Sequence, residues 1–128
     1  MPIRIVRLGT PRSSEEGIRI GTVRRPPRGV PKSEYASRDL YDVWLPEVAP
    51  SEVLVKLALS ADTEAQWRTF TRRYRAELAK PEKARLLQLL AALSQVTSLS
   101  VGCYCADEER CHRSILRELL VAHGASVA

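Results

Sequence analysis

The sequence has no apolar run near the roughly 20 residues that cross a bilayer, so a membrane-spanning role is excluded at this stage. Its opening residues, Met1-Pro2-Ile3-Arg4-Ile5, carry no long apolar stretch of the kind a secretory signal needs. Cysteine is scarce and odd in number, with three residues at Cys103, Cys105 and Cys111. That argues against a disulfide-stapled extracellular framework and for free thiols in a reducing cytosol. There is no internal repeat and no low-complexity tract. With 45% hydrophobic and 27% charged residues, the chain is neither disordered nor fibrous. A length of 128 residues suits one domain, spanning 1–128.

What is present in excess is positive charge, +5 from 20 basic and 15 acidic residues. Residues 1–32 hold eight basic side chains (Arg4, Arg7, Arg12, Arg19, Arg24, Arg25, Arg28, Lys32) against Glu15 and Glu16. Residues 33–64 reverse the sign, and the remainder is again basic. Such an excess attracts phosphates, nucleotides or nucleic acid. An Arg-rich surface that merely keeps the protein in solution produces the same totals, so charge alone decides nothing.

Ile3, Ile5 and Leu8 alternate, which predicts a strand over 3–8, and Ile18 to Val23 predicts a second. The loop from Arg24 to Pro31 holds three prolines and cannot be regular structure. Ser51 is placed to cap a helix through Val53, Leu54, Leu57 and Ala58, and Asp62 is the next candidate cap. Trp67, Phe70, Tyr74 and Leu78 recur at helical spacing, a stripe read as core. Arg68, Arg72, Arg73 and Arg75 fall on the opposite face. Pro81 opens a further helix through Leu93. Val96 to Cys103 reads as a central strand, and 111–123 as a last helix stopped by Gly124. The order β-β-α-α-α-β-α predicts an α/β domain with a short, mainly parallel sheet flanked by helices.

The chemistry concentrates where the last strand meets the last helix, in Gly102-Cys103-Tyr104-Cys105-Ala106-Asp107-Glu108-Glu109-Arg110-Cys111-His112-Arg113. All three cysteines and one of the two histidines lie there. Three uses of these residues are open. Cys103, Cys105, Cys111 and His112 have the ligand types of a zinc or iron site, although adjacent residues on a helix point apart. Cys111 at a helix N-terminus suits a nucleophilic or redox thiol, with His112 as acid/base and Asp107, Glu108 and Glu109 opposing the thiolate. The strand-loop-helix junction also suits anion binding, with Arg113, Arg24 and Arg28 closing over the ligand alongside Cys103 and Cys105. Against all three stands the plain alternative that the cysteines are small buried hydrophobes.

The run CYCADEERCHRSIL resembles the C-terminal signature of the family called domain of unknown function 488, in its YeaO-like branch. That signature is an apolar strand ending in Cys, seven residues, then Cys-His-Arg opening a helix. Cys103, Cys111, His112 and Arg113 match it, and Cys105 is an addition. VRRPPRGVPKSE, WLPEVAPSEVLVKL and WRTFTRRYRAEL resemble further stretches of the family, so the likeness runs over residues 3–121. Val23 and Pro26 stand where the family usually has Asp and Trp. The resemblance implies a compact α/β domain and no particular reaction.

The leading expectation is therefore a cytosolic thiol-dependent enzyme acting on an anionic, phosphate-bearing small molecule. Cys111, His112 and Arg113 are its catalytic candidates, and Arg24, Arg28, Cys103 and Cys105 bind ligand. The alternatives are a nucleic-acid-binding module, or a structural or sensing zinc or iron site at the cysteine cluster.

Overall fold

A computed structural model describes residues 2–105 and 111–128. Among these residues, four strands form one sheet: β1 (Ile3–Arg7), β2 (Ile18–Gly21), β3 (Val43–Trp44) and β4 (Leu99–Cys103). The spatial order is β1-β4-β2-β3, and every neighbouring pair is parallel. The last strand in sequence is thus inserted between the first two. Ile3 faces Leu99 and Arg7 faces Cys103 on one side; Ile18 faces Leu99 and Gly21 faces Gly102 on the other. All five residues of β4 are buried, which is why Leu99-Ser100-Val101-Gly102-Cys103 does not alternate apolar with polar.

β1 and β2 end one and two residues earlier than the sequence reading, at Arg7 and Gly21, and the other two strands differ more. β3 is only two residues long and was not legible as a strand. β4 starts at Leu99 rather than Val96, because the Val96 amide still bonds the Leu93 carbonyl as the tail of the preceding helix, at 3.0 Å. The outer edge of β1 is covered at its start by residues 126–128: Ile3 donates to the Ser126 carbonyl at 2.7 Å and accepts from the Ala128 amide at 2.9 Å, which shortens the open edge.

The described α-helices are α1 (Glu52–Leu59), α2 (Glu64–Leu78), α3 (Pro81–Leu93) and α4 (His112–Ala122). Ser51 caps α1 by accepting from the Leu54 amide. The cap of α2 is Thr63, not Asp62. Its hydroxyl accepts from the Gln66 amide at 3.2 Å while Gln66 Oε1 accepts from the Thr63 amide at 3.1 Å. Asp62 has Ala65 three residues on and cannot close such a reciprocal box; Thr63 has Gln66. Phe70, Tyr74 and Leu78 of α2 are buried with Leu116 and Leu120 of α4 and with Ile3 and Val101 of the sheet, forming the main core. No helix among the described residues is long and apolar enough to cross a membrane.

A second, smaller cluster sits at the C-terminal edge of the sheet and contains Leu8, Val23, Tyr41, Cys103 and Cys111. β1, β2, β3 and β4 all end there, the edge where ligands gather in parallel α/β sheets.

Candidate functional site

The site begins with a close approach of two backbones. A Cβ on Gly102 would lie 2.5 Å from the Val6 carbonyl oxygen, so β4 needs glycine just before Cys103. On the other side Thr22, the residue after β2, donates its amide and its hydroxyl to the Gly102 carbonyl at 2.9 and 3.0 Å. Thr22 is thereby fixed, and its own carbonyl faces His112 at the start of α4. His112 Nε2 lies 2.7 Å from that oxygen. A carbonyl only accepts, so Nε2 carries the proton and the lone pair of the neutral ring sits on Nδ1.

Nδ1 faces the thiols. It stands 3.7 Å from Cys111 Sγ, and Cys111 Sγ stands 2.7 Å from Cys103 Sγ. One ligand atom from each of these three residues falls within 4.8 Å of the others. The expected divergence of Cys111 and His112 does not arise. Cys111 is the N-cap of α4, with extended backbone at φ −131° and ψ 154°, so the two side chains are not spaced as neighbours on a helix. The rings of His112 and Tyr74 meet edge-on at 5.8 Å, and the Tyr74 hydroxyl donates to the Val48 carbonyl at 2.5 Å. The imidazole is therefore held from both sides.

Cys103 and Cys111 are buried, 1% and 2% exposed, whereas Cys105 lies beyond the strand end and is exposed. Hydrogen bonds from Cys105 and Cys111, together with burial, push the Cys103 thiol up. The Cys103 hydrogen bond favours ionisation of Cys111, but Cys105 and burial outweigh it and raise that thiol too. Cys105 moves the other way. Hydrogen bonds from Cys103 and Cys111, and the nearby His112 and Arg113, hold it well below the usual thiol range against the burial it has. Burial pushes His112 down to about 4, with the Thr22 bond opposing, so the ring is neutral near pH 7.

Arg113 is 3% exposed and donates from Nη2 to the Cys105 carbonyl at 2.7 Å. Among the described residues, its buried Nε has no hydrogen-bond partner. Arg24, expected beside it, turns to the chain before α1 and donates to the Pro50 and Ala49 carbonyls at 2.9 and 3.0 Å. Its guanidinium holds backbone in place. Arg28 is exposed on the proline-rich loop. Asp107, Glu108, Glu109 and Arg110 lie outside the described residues.

Much of the basic N-terminal third is likewise engaged within the fold. Arg4 pairs with Glu15, Arg12 with Asp39 and Asp42, and Arg25 with Glu52. Arg19 is 1% exposed and paired with the buried Glu16 at 2.8 Å. On α2, Arg68, Arg72 and Arg73 remain exposed while Arg75 bonds Glu118. Sequence reasoning missed the Thr22 carbonyl and the edge of Tyr74. A main-chain acceptor leaves no trace in residue type, and Tyr74 was visible only as a core residue.

Comparison with known proteins gives one finding of similarity. The family model described as DUF488-N3a, the active DUF488-N3 subclade, matches residues 3–124. No curated protein and no solved structure matches the chain.

Proposed function

We propose, from the premise that this chain belongs to the DUF488 family, that its Cys103, Cys111 and His112 form a transition-metal centre of the zinc type. Cys105 takes the fourth position. The observation that carries this reading is the tautomer of His112. Its Nε2–H is spent on the Thr22 carbonyl at 2.7 Å, leaving the Nδ1 lone pair toward the two sulfurs. Metal-bound histidines are oriented in this way by a second acceptor. A disulfide between Cys103 and Cys111 would need no histidine there.

Distances support the assignment in part. Tetrahedral zinc, with bonds of about 2.3 Å to sulfur and about 2.0 Å to nitrogen, sets S and N about 3.6 Å apart. Cys111 Sγ and His112 Nδ1 stand at 3.7 Å. The two buried sulfurs, at 2.7 Å, must part by about 1 Å to admit the ion. Burial also favours metal over catalysis at Cys111: an ion reaches a sulfur that is 2% exposed, and a phosphate-bearing substrate does not. The centre would tie β4, the end of β2 and the start of α4 together. In the absence of Cys105 the fourth position would open to water or ligand, as in catalytic zinc sites.

Metal analysis of untagged protein by mass spectrometry tests the reading. About one equivalent of metal is expected, lost in Cys111→Ser and in His112→Ala. Less than about a tenth of an equivalent after zinc is supplied, or retention in both variants, overturns it.

A second reading, a thiol-dependent enzyme acting on an anionic ligand, is favoured by Cys105 and Arg113. Cys105 is exposed, and Arg113 beside it carries a buried Nε without a partner among the described residues. Here Cys105 rather than Cys111 is the nucleophile, because it alone is accessible. This reading predicts metal-free protein with one fast-reacting thiol at neutral pH, abolished in Cys105→Ser; silent thiols would end it.

A further inference from the structure

Where residues 32–42 lead into β3, next to Pro26 of the proline-rich loop, lies a cavity of about 480 Å³ lined by Pro26, Lys32, Tyr35, Tyr41, Asp42 and Trp44. Its size is in the range of pockets that hold a small organic molecule. Three aromatic rings in one cavity wall are notable in a chain that is only 5% aromatic. They are also fixed. Trp44 Nε1 donates to the Val23 carbonyl at 2.7 Å, yet the residue is 41% exposed. Tyr35 and Tyr41 meet edge-on at 5.1 Å. Tyr41 packs closely against Gly21, where a Cβ would come within 2.4 Å of its ring.

Two polar features accompany the rings. The Tyr41 hydroxyl is buried and, among the described residues, has no hydrogen-bond partner, so a ligand acceptor that reached it would satisfy an unmet donor. Lys32 supplies an exposed cation. Asp42 does not oppose an anion strongly, since its carboxylate is engaged by Arg12 at 2.8 Å and by the Arg19 amide at 2.9 Å.

We propose that this cavity binds a flat heteroaromatic ring bearing a phosphate, the chemistry of a nucleoside monophosphate. The ring lies against Trp44 and Tyr35, the Tyr41 hydroxyl donates to a ring nitrogen or carbonyl, and Lys32 pairs with the phosphate. Stacking on aromatic side chains tolerates any base, so the class is assigned rather than one base. The proposal stands on residues other than the four metal donors and holds whether or not those bind an ion. If both hold, the ligand sits next to the centre, because Tyr41 shares an apolar cluster with Cys103 and Cys111.

Isothermal titration calorimetry with AMP, GMP, CMP and UMP tests it, with ribose 5-phosphate and adenosine as controls. At least one nucleotide should bind with a Kd below about 1 mM, its parent nucleoside more weakly, and ribose 5-phosphate not at all. Trp44→Ala should weaken binding about tenfold or more, by the worth of a base–aromatic stack. Tyr41→Phe should weaken it about fivefold, by the worth of one hydrogen bond, while leaving the ligand-free melting temperature unchanged or higher. A purely structural Tyr41 would lower that temperature instead. The proposal is overturned by no nucleotide binding at millimolar concentration, by affinity unchanged in both variants, or by ribose 5-phosphate binding as tightly as a nucleotide.

Discussion

His112 donates its Nε2–H to the carbonyl of Thr22 at 2.7 Å, and Thr22 itself hangs from Gly102 by both its amide and its hydroxyl. One chain of hydrogen bonds therefore runs from the central strand through the end of β2 to the first turn of α4. It fixes which nitrogen faces the sulfurs.

Metal removal is the first consequence. With free metal at about 100 times its Kd, binding adds about 3 kcal/mol to stability, or roughly 10 °C in Tm for a chain of this length. A chelator should lower the Tm of the native protein by that amount and leave His112→Ala unmoved. Identical melting curves with and without chelator would end the metal reading.

The buried pair Glu16–Arg19 gives a pH dependence. Burial raises the Glu16 carboxyl, but hydrogen bonds from Arg19 and the Ser13 amide outweigh it, so the folded-state value lies below the ordinary 4.5. A lowered carboxyl stabilises the fold fully above the ordinary range. That contribution is lost as pH falls through the lower folded value. Asp42, held down by Arg12 and the Arg19 amide against its own burial, acts in the same direction. Urea titrations between neutral pH and pH 3 should show stability falling, and Glu16→Gln should flatten that acid limb.

Glu16→Gln should also be costly at neutral pH, by about 3 kcal/mol, because Arg19 is left as a buried charge without its counter-ion. Arg19 keeps its bonds to the Thr10 and Asp39 carbonyls at 2.8 and 2.6 Å, which limits the loss. A change under 1 kcal/mol in denaturant unfolding would show that the pair does not anchor this loop.

Gly102→Ala should damage fold and site together. The added Cβ meets a backbone oxygen, that of Val6, and backbone cannot swing aside as a side-chain tip can. A loss of about 2–3 kcal/mol is expected from such overpacking, with weaker metal retention because Cys103 follows directly. Native stability with full metal content would contradict the close approach of β1 and β4.

Tyr74→Phe should cost about 1–2 kcal/mol, because the buried Val48 carbonyl loses its donor at 2.5 Å. The ring edge against His112 is kept, so metal content should stay near that of the native protein. Loss of metal in this variant would mean that the hydroxyl positions the imidazole.

The sequence by itself determined most of the elements and the strand–helix junction at which Cys103, Cys111 and His112 meet. Apolar periodicity carried the aromatic stripe of α2 into the core, Pro81 marked the start of α3, and the CYCADEERCHR run marked the junction. Each of these is local, set by residues a few positions apart, and so is readable along the chain. The two-residue β3 was not readable, since its place is defined by pairing with β2 and not by its own pattern.

Tertiary structure decided the rest. It buried Cys103 and Cys111 and left Cys105 exposed, because β4 ends at Cys103 and the chain then leaves the sheet. It set Arg24 against the Ala49 and Pro50 carbonyls and Arg19 against Glu16. It chose the tautomer of His112 with a carbonyl 90 residues away in sequence. Distant main-chain partners of that kind appear only once parallel strands are stacked in their spatial order, which residue types alone do not encode.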